Sequence, residues 1–322
     1  MLNLIKNFTL SLILFTNLFS INDNLQTGIY LFEAGELSKA NEFFEKFVDK
    51  NPENPEGFYY LGRINYRKND LKEAEKYFKK AVELEPNSSL YHTWLGDTYG
   101  NRINNVSIFK KIGMAKNVKK HYEMALRLDK SNTKALNGLI IFYTEAPGIV
   151  GGSKDKAKEF ATRLKDLDEY MGYLAFARIY QKEKKYKLAE EEYLAAISDF
   201  PEKLNVRFQL GYFYQRQKLY SKAFDLFEEM VTDSSDYLGA LYQVGRTGVL
   251  SGQNLDRAEQ AFKEYLSNEP GQDNPSLAAA HWRLGQLYER KNNKDLAKLE
   301  YEAALTLEPN HEAAKKALKK LK

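Results

Sequence analysis

The sequence predicts an all-α fold, a solenoid of stacked helix pairs, and three observations carry that expectation. Gly28, Gly62 and Gly96 lie 34 residues apart, Gly211 and Gly245 repeat the interval, and so do Ala40 with Ala74 and Ala189 with Ala223. The dipeptides Leu61-Gly62, Leu95-Gly96, Leu210-Gly211 and Leu284-Gly285 recur at equivalent places. Pro52, Pro86, Pro201 and Pro309 close units in the contexts NPENP, LEPNS, DFPEK and LEPNH. A fixed period of this length marks one supersecondary unit that buries its apolar face only by stacking on its neighbours. Glycine in one helix and alanine in the next let two backbones approach, an aromatic one turn later plugs the gap to the next unit, and proline stops the second helix.

In the clearest unit the signature places hold Phe58, Leu61, Gly62, Ala74, Phe78, Ala81 and Pro86. Tyr180, Ala189, Tyr193, Ala196 and Pro201 fill them in another, and Leu284, Gly285, Tyr288, Ala297, Tyr301, Ala304 and Pro309 in a third. This pattern resembles the tetratricopeptide repeat (TPR) family. The resemblance implies a right-handed superhelical α-solenoid of about eight antiparallel helix pairs over residues 21–322. The units are read as 21–54, 55–88, 89–132, 133–169, 170–203, 204–237, 238–277 and 278–309, with a polar capping helix at 310–322. In that cap, EAAKKALKKLK, alanine and leucine cover the last unit and the lysines face water.

Composition bounds what such an array can do. The 322 residues are 43% hydrophobic and 29% charged, which argues against disorder and against a multi-pass membrane protein. With 48 basic and 44 acidic residues the net charge is +4, too even to point to a nucleic-acid partner. The chain has no cysteine, so disulfides, thiolate metal sites and a cysteine nucleophile are excluded. Residues 1–20 read as a signal peptide: Lys6 precedes a mostly apolar run from Phe8 to Phe19, and polar residues resume at Asn22. That run is shorter than a membrane-spanning helix. The expectation is export, to a periplasm by preference, with any membrane contact limited to this segment. Retention as an uncleaved anchor and a buried first helix are the alternatives.

The repeat is broken in two places. The third unit carries about ten extra residues within Gly100–Met114, and its second helix resumes near Ala115. The fourth has Ile140 in place of glycine and is interrupted between Glu145 and Lys154 before Ala157. Gly148, Gly151, Gly152 and Ser153 in that interruption are candidate anion ligands through their backbone N–H groups. Against this, the loop lacks the GxxxxGK[ST] order, no strand precedes it, and a tight reversal with a serine N-cap accounts for it. The segment APGIVGGSKDKA looks like one in a subset of bacterial TPR proteins without an assigned activity.

No catalytic constellation is visible. His92, His121, His281 and His311 sit in different units without i, i+4 pairing, and no HExxH, nucleophile elbow or dinucleotide fingerprint occurs. The expectation is a protein that is not an enzyme, with no metal and no cofactor.

The family resemblance implies a concave groove lined by the first helix of each pair. Its groove-facing places hold Tyr59, Arg63, Tyr66 and Arg67 in the second unit and Arg178 in the fifth. They hold Phe208, Tyr212, Gln215 and Arg216 in the sixth, Tyr242 and Arg246 in the seventh, and Trp282, Gln286 and Arg290 in the eighth. Arg63, Arg178 and Arg246 occupy one place in three units, where the third unit has Asp97. Arginine interleaved with aromatics suits an acidic or C-terminal peptide, since guanidinium forks bind carboxylates and rings supply area at low entropy cost. The function expected is a non-catalytic scaffold for a protein or peptide partner. Alternatives are a self-assembling structural component, an accessory subunit of an envelope complex, and single-stranded RNA binding, which export disfavours.

Overall fold

The computed structural model describes residues 25–103, 106–233, 237–271 and 273–321. The segment read as a signal, residues 1–20, lies outside them. Among the described residues all regular structure is helical, and no helix is long and apolar enough to cross a membrane.

Two compact units divide the chain after Tyr186. The first contains α1 (residues 25–33), α2 (Leu37–Lys50), α3 (Pro55–Arg67), α4 (Leu71–Leu84), α5 (Ser89–Arg102), α6 (Ile108–Leu128), α7 (Thr133–Glu145), α8 (Lys154–Leu167) and α9 (Glu169–Lys182). The second opens on α10 (Tyr186–Asp199) and continues with α11 (Leu204–Arg216), α12 (Tyr220–Asp233), α13 (Tyr237–Ser251), α14 (Leu255–Leu266), α15 (Leu277–Arg290), α16 (Lys294–Leu307) and α17 (Glu312–Leu321). Each is a helical-repeat solenoid: successive helices lie against one another from α2 to α9 in the first unit and from α11 to α17 in the second.

Local chemistry sets the ends of these helices. Side-chain oxygens of Asn54, Asp70, Asn132, Asp168 and Asn293 accept the backbone N–H three residues on, at 2.9–3.1 Å, and Pro55 occupies a position where no N–H is needed. Several turns inside the pairs place one residue in the left-handed region: Gly35, Asn69, Lys184, Lys218 and Asn292. At Lys218 (φ 60°) the turn closes through Lys218 N–H to the Gln215 carbonyl and Leu219 N–H to the Tyr214 carbonyl. A β-carbon is strained in that conformation, whereas glycine is not. Lys218→Gly is therefore expected to stabilise the second unit by roughly 0.5–1 kcal/mol in urea unfolding, despite its added unfolded-state entropy.

The repeat's glycines mark where aromatic rings seat. A β-carbon on Gly211 would lie 2.2 Å from the Phe227 ring, and one on Gly62 2.6 Å from Phe78. The ring of the second helix thus covers the glycine of its own pair, and Phe78 also reaches the next pair, stacking on Trp94 at 5.7 Å as the repeat pattern implies. Tyr122 of α6 does both. It lies against Gly96 of α5 and against Gly138 of α7, where β-carbons would come within 2.9 Å and 2.3 Å of its ring. Gly138 supplies a close approach two residues before Ile140, which is fully buried.

The extra residues of the third pair correct one expectation. The second helix does not resume near Ala115; α6 begins at Ile108, about two turns earlier, so most of the insertion lengthens a helix. Helix α17 has the expected form, with Ala314 buried and Lys315, Lys316, Lys319 and Lys320 exposed.

Candidate functional site

In the first unit the arginine on α3 is enclosed by aromatic rings. The Arg63 guanidinium carbon lies 4.4 Å from the ring centroid of Phe32, 5.5 Å from Tyr59, 5.6 Å from Tyr60 and 5.4 Å from Trp94. Glu33 approaches it at 3.8 Å, and the Arg63 side chain is only 20% exposed. Arg67 also lies over Phe32, 4.0 Å from its centroid, and donates to the Phe32 carbonyl at 3.3 Å. Tyr59 is buried, Tyr66 packs edge-on to Trp94, and the Tyr66 hydroxyl accepts from Asn101. Asp97 is similarly occupied: it accepts from the Tyr122 hydroxyl at 2.5 Å and pairs with Lys134 at 2.7 Å, while Lys134 sits 3.5 Å over Trp94. Burial, followed by the Asp97 charge, pushes the Tyr122 phenol well above its ordinary value. The charges at these places are therefore met inside the unit by rings and acids, although Arg63 Nε is buried without a hydrogen-bond partner. Arg178, on α9, is exposed and has no ion pair among the described residues.

The second unit is different. Gln215 on α11 and Gln243 and Thr247 on α13 form a buried polar cluster, with Gln215 Nε2 donating to Thr247 Oγ1 at 2.8 Å. Arg246 donates through one nitrogen to Gln215 Oε1 at 2.9 Å and Gln243 Oε1 at 3.2 Å. Arg283 on α15 donates to Gln286 Oε1 at 2.9 Å and lies 4.2 Å over the Trp282 ring. Its Nε is buried without a partner. Among the described residues neither Arg246 nor Arg283 is paired with a carboxylate. Burial first, then the like charge of Arg283 and least that of Arg216, hold Arg246 below the ordinary guanidinium range, against the opposing effects of Tyr242 and Tyr212. Two partly buried guanidiniums held by neutral amides have unmet electrostatic demand, and an anion between them would meet it.

Of the other residues named from sequence, Phe208 and Tyr212 are half-buried against Phe227, and Tyr242 is buried against Phe262 and Tyr265. Trp282 packs on His311, and Arg216 and Arg290 are exposed. Sequence reasoning missed Arg283, Gln243 and Thr247. A signal existed: Gln243 and Arg246 on α13, and Arg283 and Gln286 on α15, are Arg/Gln pairs three residues apart, which share a helix face.

The glycine loop after α7 closes on itself. Val150 and Gly152 donate to the Pro147 carbonyl, Gly151 to that of Gly148 and Ser153 to that of Tyr143. Gly152 passes so near the Ala146 oxygen that a β-carbon would be 1.8 Å from it. Ser153 caps α8, accepting from the Lys156 N–H at 3.4 Å. The N–H groups an anion would need at Gly151, Gly152 and Ser153 are already in use. Gly148 is exposed at the head of a single 3-10 turn. Among the described residues no group of three or more metal-ligating side chains converges.

Comparison with known proteins agrees with this architecture. One tetratricopeptide repeat family model matches residues 25–89 and 174–237, and another matches 278–311, together about half of the chain. A 61-residue stretch is 34% identical to the Sol locus transcriptional repressor of Clostridium acetobutylicum, covering 19% of this chain and only 19% of that relative. Among solved structures, a tetratricopeptide repeat protein from Parabacteroides merdae aligns with TM-score 0.57 at 17% identity, over 94% of this chain and 98% of its own. Yeast Tom70 aligns with TM-score 0.64 at 20% identity, over 88% of this chain and 58% of its own. At these identities the structural likeness speaks for the fold alone. The sequence matches, the helical pairs and the glycine-aromatic contacts agree: the chain belongs to the tetratricopeptide repeat family.

Proposed function

We propose that this protein is a non-catalytic scaffold that holds an acidic segment of a partner protein on the first helices of its second unit. The tetratricopeptide repeat generally mediates protein–protein interaction, and its members are generally non-catalytic. The observation that carries the finer reading is the pair Arg246 and Arg283, partly buried, hydrogen-bonded to glutamine amides and without a carboxylate among the described residues. Tyr212 and Trp282, both half-buried, supply contact area beside them. The charge-assisted forks select a carboxylate and the rings hold the adjoining side chains. Arg63 and Arg67 serve the shape of the first unit in this reading, and Arg178 remains available there. The apolar run before residue 20 supports export, and with it a partner in the periplasm or envelope.

The test is fluorescence anisotropy with an array of labelled Asp/Glu-rich peptides against wild type, the Arg246→Gln/Arg283→Gln variant and Arg63→Gln. Peptides that bind wild type are expected to bind the double variant at least about ten-fold more weakly, because each lost charged hydrogen bond is worth roughly 1.5–3 kcal/mol. Equal binding by wild type and the double variant would sink the site. A mass that rises with protein concentration in sedimentation, with no peptide bound, would favour self-assembly instead.

A further inference from the structure

We infer that the first unit carries a separate small-molecule site: a cavity of about 490 Å3 bounded by α6, α7 and α8 that takes an amphipathic carboxylate. Its floor is apolar. Leu126 and Leu139 are buried, and Phe160 is half-buried, its ring stacked on Tyr143 at 5.6 Å. Its rim is cationic, formed by Arg127, Lys130 and Arg163. Arg127 and Lys130 are exposed, and neither has an ion pair among the described residues. Arg163 donates to the Lys130 carbonyl at 3.5 Å and lies 5.4 Å from the Phe160 ring centroid, so its charge too is without a carboxylate.

The acid that lines the cavity does not neutralise this rim. Glu123 is engaged elsewhere, with Lys119 at 3.7 Å and with the Tyr143 hydroxyl at 3.2 Å. Basic residues near the end of α6 do complement that helix's terminal carbonyls, which accounts for Arg127 by itself. It does not account for three cations from two helices and a turn gathered around an apolar floor. A simple inorganic anion would leave the half-buried Phe160 ring uncovered, and a hydrocarbon would desolvate the cations without pairing them. A molecule with a ring or short alkyl chain and one carboxylate satisfies both. The volume suits such a ligand, since small-molecule sites run to roughly 300–1,000 Å3. Nothing in this site depends on Arg246 or Arg283, so it stands apart from the peptide site.

The probe is 8-anilino-1-naphthalenesulfonate, an aromatic anion whose fluorescence rises in apolar surroundings, titrated against the full chain and competed with 3-phenylpropionate or with the uncharged 3-phenylpropanol. Wild type is expected to bind the probe saturably, to release it to the carboxylate, and to resist the alcohol. Arg127→Glu/Lys130→Glu, both at exposed positions, should weaken binding at least ten-fold with the circular dichroism unchanged, and Lys130→Ser should do so partially. Arg246→Gln should leave it unaltered. Absence of saturable binding, equal competition by the alcohol, or binding lost with Arg246→Gln but kept by the double variant would each overturn the assignment.

Discussion

Tyr122→Ala is expected to lower the stability of the first unit by roughly 3–5 kcal/mol, the usual cost of deleting a large buried aromatic. The ring is 5% exposed and fills the space left by two glycines, Gly96 on α5 and Gly138 on α7. Neither glycine has a side chain to close the void. The deletion also removes the hydroxyl that donates to Asp97, leaving that carboxylate with Lys134. Tyr122→Phe separates the two effects: it keeps the packing and should cost only about 1.5–3 kcal/mol for a hydrogen bond to a charged group. Urea unfolding followed by circular dichroism measures both. A Tyr122→Ala variant within about 1 kcal/mol of wild type would mean that α5, α6 and α7 do not depend on this contact.

The second large effect is loss of stability in acid, centred on a pair of buried histidines. His92 Nε2 lies 3.0 Å from the Pro86 carbonyl, so that nitrogen carries a hydrogen and donates. His92 Nδ1 is then the acceptor for His121 Nδ1–H at 2.9 Å, and both rings are neutral. Tyr99 of α5 stacks on His121, with Lys79 of α4 over the Tyr99 ring. Burial holds both histidines below their ordinary value; at His92 the Pro86 hydrogen bond opposes it and Lys120 adds to it, and at His121 proximity to His92, then Lys120 and Lys79, add to it and hold the group at about 4. The unfolded chain, titrating near 6.5, therefore binds more protons than the folded one as pH falls. The His121 contribution is complete above pH 6.5 and declines from there toward about 4, by up to about 1.4 kcal/mol per pH unit, and His92 shifts stability in the same direction. Two carboxylates bear on this window. Glu56, raised by burial and then by the Glu85 charge, gains stability as pH falls through its raised value and so opposes the histidines. Glu259, held at about 2 against burial by Lys263, Lys291 and Tyr288, costs stability only below its ordinary 4.5. Urea midpoints at pH 7.5, 6 and 5 should fall steeply for wild type and more gently for His121→Phe. Parallel slopes would remove the histidine pair as the cause.

The fold was legible because the repeat writes its close contacts in residue types that have few substitutes. Gly62, Gly96, Gly211 and Gly285 each face a ring, and spacing alone identifies them. Gly138 was not legible, since it lies outside the expected glycine place and its partner belongs to the preceding pair. The start of α6 escaped for another reason: register counts extra residues but does not say whether they are helical, and Ile108–Met114 adds turns to a helix.

For the site, the sequence marked which places face a groove but not which charges are already met. Arg63 and Arg246 look equivalent along the chain. They differ because Phe32 and Trp94, from the neighbouring pairs, close around Arg63, whereas Arg246 meets Gln215 and Gln243. Charge compensation is a property of neighbours brought together by stacking, and a groove pattern read one unit at a time does not contain it.

The ring cage around Arg63 has a consequence for how the protein responds to its medium. A guanidinium stacked among aromatic faces at 20% exposure is shielded from mobile counter-ions, unlike a surface ion pair within reach of a Debye layer. The packing around Arg63 should therefore keep its form from dilute buffer to strong brine. Attraction of an acidic segment to Arg246 and Arg283 weakens across the same range, so ionic strength would tune the grip of the second unit while the Arg63 cage does not respond.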